Sequence, residues 1–262
     1  MKRIIPMLAM ATLLVALAMH LPVQHAAAQG QPAAAQKGSG DVDPEALEAL
    51  NKMGTYLRSL KSYQVDAVTT RDEVLDDGQR IQFDSHINLL AKIPDHLRAE
   101  INNAQTHRLF FFDGKNFTVY AQRVNFYATV PAPPTIGELA DRLDEKFGIE
   151  MPLEDLFFWG TSRSNVGEIK SAMNVGPSEV GGVTCEHYAF RQDGLDWQVW
   201  IQQGDFPLPR RLVLTTTTDD SRPQYSSELT WNLAPSFNEA AFVFDPPKDA
   251  QKITIAEAKA SK

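Results

Sequence analysis

Cysteine is almost missing from this chain: Cys185 is the only one in 262 residues. No internal disulfide can form, so the fold must be held by its core and not by covalent staples. The sequence signatures of catalysis are missing too. It contains no nucleophile elbow, P-loop, dinucleotide fingerprint, HExxH or EF-hand loop. Cys185 and His187 share one strand face, but no second ligand pair supports a zinc site, and His86, His96 and His107 fall on or beside different strands. The acidic pairs Asp72-Glu73, Asp76-Asp77 and Asp219-Asp220 stand at strand ends and turns, where solvation explains them better than acid–base work. The expectation is a protein that is not an enzyme, with no cofactor and no metal.

Basic residues are outnumbered, 25 Lys and Arg against 33 Asp and Glu. Nucleic acid is therefore excluded as an expected partner, because that affinity rests on cations meeting phosphates. Anionic lipid surfaces are disfavoured for the same reason. Among apolar runs, Met7 to Ala18 is the long uncharged one, and it is too short for a confident membrane span. Lys2 and Arg3 precede it, and Ala26-Ala27-Ala28 supplies a small-residue cleavage site, so residues 1–28 read as an export signal. No cysteine follows to be acylated, which closes the lipoprotein route. A periplasmic location with no transmembrane segment after cleavage is the expectation. Without Lys2 and Arg3 the basic count falls to 23, giving a formal charge of −10. Residues 29–43, rich in Ala, Gln and Gly, read as a flexible linker. One domain over residues 44–255 follows, then a disordered tail over 256–262.

What the chain has in quantity is strands. Gly181 to Leu214 holds three apolar-rich runs separated by turns. Leu195, Trp197, Val199 and Ile201 alternate with Asp196, Gln198 and Trp200, and Asp193-Gly194 favours the positive φ of a tight hairpin. Similar runs lie at 63–75, 80–91, 97–101, 107–112, 116–121, 125–130, 176–180, 224–232 and, last and short, 241–244. Asp113-Gly114 joins two of them. A helix precedes the strands: Asp43 caps it, Pro44 opens it, and Leu47, Leu50, Met53 and Leu57 form its stripe. A helical insert interrupts them. Thr135 and Glu138 make a capping box, Ile136, Leu139, Leu143 and Phe147 form a stripe, and Gly148 ends it. A short apolar helical turn begun by Pro152 follows, and 163–173 is irregular or partly helical. The strands run in meander order without βαβ alternation, which argues for α+β and against a Rossmann-type sheet.

Aromatics fall on both faces of single strands. Phe110-Phe111-Phe112, and Trp197 with Trp200, show it, and Phe157-Phe158-Trp159 surrounds a short helix in the same way. A half-buried sheet would alternate apolar with polar. Either both faces are covered or one lines an apolar pocket. Cys185 sits mid-strand among apolar neighbours and reads as a buried small hydrophobe.

The segments DWQVWIQQGDFPLPRRLVL, PQY at Pro223 to Tyr225, WN at Trp231-Asn232 and FVFDPPKDAQKI from Phe242 resemble the DUF2092 family, which is related to the LolA/LppX/RseB-type lipoprotein-carrier fold. The resemblance covers most of the chain after its leader. It implies a strongly curved antiparallel half-barrel of about nine to eleven strands, with helices covering the concave side. It further implies a carrier for a lipid or acylated protein, or alternatively an RseB-like sensor that binds another envelope protein. No basic residue matches the buried, lid-locking Arg of LolA, and Arg210 and Arg211 at a strand start fit no such motif. Release of lipoprotein coupled to a transporter is not implied. The set chosen for the pocket is Phe110, Phe112, Phe117, Val119, Phe126, Trp197 and Val199, on account of its aromatic bulk. The set chosen for the lid is Leu139, Leu143, Phe147, Phe157 and Trp159.

Overall fold

The computed structural model describes residues 40–257. The expected leader and most of the linker and tail lie outside the described residues. Helix α1 (Pro44–Ser59) begins where expected, with the Asp43 carboxylate accepting the Glu45 N–H at 3.0 Å and Pro44 in the first turn. Its buried stripe is Ala46, Leu50, Met53, Gly54 and Leu57. The end of the expected linker is tied down: the Asp43 N–H donates to the Ala172 carbonyl, and Val42 bridges Ala172 in parallel.

Six strands then run as a meander: β1 (Ser62–Val74), β2 (Arg80–Lys92), β3 (His96–Asn103), β4 (His107–Phe112), β5 (Asn116–Ala121) and β6 (Phe126–Pro131). The helical insert follows as α2 (Ile136–Phe147) and the single turn α3 (Asp155–Phe158). The Thr135 hydroxyl accepts the Glu138 N–H at 3.2 Å, and Gly148 ends α2 in the left-handed conformation. The second helical turn starts later than Pro152, because Leu153 takes a positive φ of 55°. The ambiguous stretch resolves into two 3-10 turns, Ser162–Ser164 and Val166–Glu168, and then strand. A second meander comprises β7 (Ser171–Val180), β8 (Val183–Gln192), β9 (Leu195–Gln202), β10 (Pro209–Thr216) and β11 (Gln224–Asn232), and a final pair of residues forms β12 (Gln251–Lys252).

All twelve described strands belong to one sheet, in the order β12-β6-β5-β4-β3-β2-β1-β11-β10-β9-β8-β7. The meanders meet where β1 pairs β11, with Val65 opposite Trp231 and Ala67 opposite Leu229. The count exceeds the nine to eleven expected, and one pair, β12 with β6, is parallel. The expected strand at Ala241–Phe244 is instead a 3-10 turn over Glu239–Phe242. The reason is edge availability. Both edges of β11 are taken, by β1 and β10, so the chain leaving it finds no partner until it reaches the free edge of β6.

The sheet is open, with β7 and β12 as its edges, and is not strongly curled, which corrects the half-barrel expectation. Strong curl needs bulges or glycine bends repeated across a sheet. Here the register shifts only at Pro209/Arg211 and Asn174/Gly176, both in the second meander. Strands β1 to β6 keep continuous register.

One face of the sheet carries the helices, α2 and α3 on the first meander and α1 on the second. The opposite face is covered in places. Val180, Cys185, Trp200 and Val213 form a small core there, with His187 stacked on Trp200 at 3.9 Å. At its other end Phe244 lies 5.0–5.3 Å from the rings of Phe111, Tyr120 and Tyr127. Between them a depression of about 350 Å³ opens beside Asp66, His86, Glu100 and Glu228. Aromatics on both faces of β4 and β9 are thus accounted for by cover on both sides.

Candidate functional site

The apolar layer between sheet and helices is the site suggested by the chain. Strand alternation builds its floor. Tyr63, Val65 and Ala67 of β1 share a face with Ile87, Leu89 and Ala91 of β2, Leu97 and Ala99 of β3, and Phe110 and Phe112 of β4. The roof over this half is Ile136, Leu139, Ala140 and Leu143 of α2, with Met151 and Leu156 after it. In the other half, Tyr188, Phe190, Trp197, Val199, Ile201 and Leu212 face Ala46, Leu50, Met53 and Leu57 of α1.

The seven residues singled out for a pocket all lie on this face, in two separate groups. Phe110, Phe112 and Phe117 are buried beneath α2, the rings of Phe110 and Phe117 being 6.0 Å apart, with Val119 half-buried beside them. Phe126 stands on the same face at the outer strand and is 36% exposed. Trp197 and Val199 are buried under α1, where Trp197 stacks on Phe190 at 4.1 Å and its Nε1–H donates to Gln192 Oε1. Five strands separate β4 from β9, which at ~4.8 Å per strand puts the two groups roughly 30 Å apart along the sheet. Of the five residues singled out for the lid, Leu139 and Leu143 are buried, and Phe147, Phe157 and Trp159 are partly buried against the same cluster.

The sequence does not show which residues join the two halves, although Phe157 and Trp159 belong to the set singled out for the lid. Trp159 and Trp231 touch both clusters. Tyr63 lies 5.3 Å from Trp231 and 6.3 Å from Phe157, so β1, β11 and α3 share one aromatic seam. Trp231 Nε1–H donates to the Pro209 carbonyl at 2.8 Å. Strand alternation marks Tyr63 and Trp231 as facing one way, but nothing local says that the first strand pairs the eleventh.

The charges at the margin belong to the insert. Burial first, then the neighbouring charges of Asp155, Asp144 and Glu150, push the Glu154 carboxyl up to about 7. Burial, and secondarily the charge of Asp155, pushes the Tyr225 phenol up to about 12. Burial alone holds Tyr63 well above the phenol range. Arg71 of β1 meets Glu150 at 3.8 Å, a loose and exposed pair. Arg210, which matched no lid-locking motif, donates from Nε and Nη2 to Gln202 Oε1 in the second meander, whereas α2 packs on the first. Among the described residues no group of His, Cys, Asp and Glu is arranged to hold a metal.

An open, helix-covered antiparallel sheet with an apolar interlayer defines the class of the domain. Residues 46–256 match the family described as "Predicted periplasmic protein (DUF2092)", and the chain belongs to that family. No curated protein matches it. Among solved structures, the Mycobacterium tuberculosis lipoprotein LppX is similar at 11% identity, over 75% of this chain and all of that one, with a TM-score of 0.45. LprF from Mycobacterium bovis is similar at 15% identity, over 81% of this chain and all of that one, with a TM-score of 0.46. MucB of Pseudomonas aeruginosa, solved in complex with MucA, is similar at 15% identity, over 73% of this chain and 59% of that one, with a TM-score of 0.41. Among the described residues no helix is long and apolar enough to cross a membrane.

Proposed function

We propose that this protein is an exported, non-enzymatic carrier that holds an apolar ligand, a lipid or an acylated protein, between its sheet and its helical insert. The observation that carries the reading is how the insert is attached. Helices α2 and α3 lie outside the β ladder and cover a floor rich in Phe and Tyr by side-chain packing, with a backbone bond from the Ile136 N–H to the Pro94 carbonyl at 2.9 Å at the start of α2. The layer can part without breaking a strand pair. The insert is bounded by Pro131 to Pro134 on one side and by Gly160, at φ 73°, on the other. Its margin is already apolar: Val119, Val130, Ala132, Phe147 and Ile149 are half-buried there.

Uptake of a fluorescent fatty-acyl probe, together with native mass spectrometry of gently purified protein, tests the reading. Phe126 is exposed enough to replace without opening the core. Phe126→Ser is expected to weaken uptake severalfold at an unchanged melting temperature. A wild-type protein that carries no ligand and takes up no probe overturns the proposal.

A second reading, docking of another envelope protein, draws on the edge strand β7. Among the described residues its outer side has no strand partner beyond the bridge at Ala172, and Val175 is exposed on it. One stoichiometric protein recovered from envelope extract, and lost when Val175 is replaced by Lys, would favour it over the carrier reading.

A further inference from the structure

A cavity of about 440 Å³ opens at the margin of the α1 half of the apolar layer, away from the insert, between the start of α1 and strands β7 to β9. That volume lies within the ~300–1,000 Å³ typical of small-molecule sites. Glu45, Glu48, Ala49 and Lys52 form its roof. They stand at i, i+3, i+4 and i+7, so one face of the helix supplies them all. Glu186, Tyr188 and Ile201 form the floor, and the turn through Gln203 and Pro207 closes the outer end. Register explains the floor. Glu186 of β8 pairs directly with Ile201 of β9, and Tyr188 follows two residues on, on the same face.

The charge inside is one-sided. Lys52, the cation of the lining, is already paired with Glu48 at 2.6 Å. Glu186 accepts only the neutral Gln203 amide, at 2.8 Å, and neither Glu45 nor Glu186 meets a Lys or Arg among the described residues. Two carboxylates from different elements thus face a mostly buried aromatic ring. Burial holds the Tyr188 phenol above its ordinary value, and the charges of Glu186, Glu45 and Asp43 add to that, so its hydroxyl stays protonated as a donor. Ala49, Ile201 and Pro207 leave part of the wall apolar.

We propose that this cavity is a binding site for a small organic amine, with the ammonium between Glu45 and Glu186 near the Tyr188 ring and its apolar body against Ala49, Ile201 and Pro207. An ammonium gains from both carboxylates and from the ring face. A neutral ligand of the same shape would leave the carboxylates unmet, and an anion would be repelled. The site is separate from the insert-covered layer and stands or falls independently of the carrier reading.

The test uses the full chain and 2-phenylethylamine as probe, with 2-phenylethanol as its uncharged counterpart, by calorimetric titration at low salt. The amine is expected to bind at least tenfold more tightly than the alcohol, a margin of about 1.4 kcal/mol. Glu45→Gln combined with Glu186→Gln is expected to remove at least that margin; both side chains line the cavity outside the apolar core, and a melting temperature close to wild type checks that the double variant is folded. Tyr188 ring resonances should shift with the amine in the wild type and stay still in the double variant. Equal binding of amine and alcohol, full amine affinity in the double variant, or no amine binding at millimolar concentration would each overturn the proposal.

Discussion

At the scale of single residues, burial governs the chemistry that can be measured. Cys185 is 0% exposed and packed among Val180, Trp200 and Val213. Burial raises its thiol pKa, and the charge of Arg210 opposes this only in part. The thiolate is the reactive form, so alkylation should be slow in the folded protein and fast in urea. Equal rates in both states would contradict the packing. Glu154 provides a pH signature. Its carboxyl is pushed from 4.5 to about 7 in the folded protein. Between those values the folded state holds a proton that the unfolded chain has released, so stability should fall as pH rises through this window. Glu154→Gln cannot ionise and should flatten that slope, making the variant the more stable protein above pH 7 while matching the wild type near pH 4. Urea melts at the two ends of the window check it, and a slope unchanged in the variant would place the effect on another group.

At the scale of elements, helices are joined through backbone contacts as well as side chains. A Cβ on Gly54 of α1 would stand 2.7 Å from the Cα and N of Gly160, at the end of the insert. Neither is the tip of a flexible side chain, so α1 and the insert would have to separate. Arg58 closes the same junction from α1, donating from Nη1 to the Trp159 carbonyl at 3.0 Å. Gly54→Ala is therefore expected to destabilise by about 1–3 kcal/mol despite the better helix propensity of Ala. A melting temperature at or above wild type would show that the two elements have room to spare. The local pattern announced both helices and their caps, since capping depends on residues within one turn. It was silent about Gly54, because a glycine inside a helix looks the same whether it meets solvent or another backbone.

At the scale of the whole molecule, the C-terminal segment straps the face that the helices leave open. Phe242 is fully buried against His96 and Phe237, Phe244 meets Phe111, Tyr120 and Tyr127, and β12 ends the strap on β6. Phe242→Ala should cost about 3–5 kcal/mol, as in any well-packed core, and should raise binding of an apolar dye to the uncovered face. A variant as stable as the wild type would mean that the strap rests on the sheet without holding it.

The sequence by itself determined whatever depends on neighbours along the chain. Leu195 to Ile201 showed its period, Asp113-Gly114 and Asp193-Gly194 their hairpins, Thr135 and Gly148 the ends of α2. Period-two alternation and hairpin register carry the facing of each side chain from strand to strand within a meander, but they do not say which face turns toward the helices, and Phe110, Phe112, Phe117, Val119, Phe126, Trp197 and Val199 were singled out for aromatic bulk alone. Tertiary structure alone decided what depends on partners far along the chain. The pairing of β1 with β11 separates Trp197 and Val199 from the four residues under α2, brings Tyr63 against Trp231, and leaves the departing chain no edge before β6. The convergence of Glu45 with Glu186 and Tyr188 was likewise invisible, since α1 could have lain on any strand. Hydrophobic period and turn chemistry act over a few residues and are written locally. Strand order and the seating of a helix are settled by which edges and apolar faces remain free once the rest has packed, and no single stretch of sequence records that.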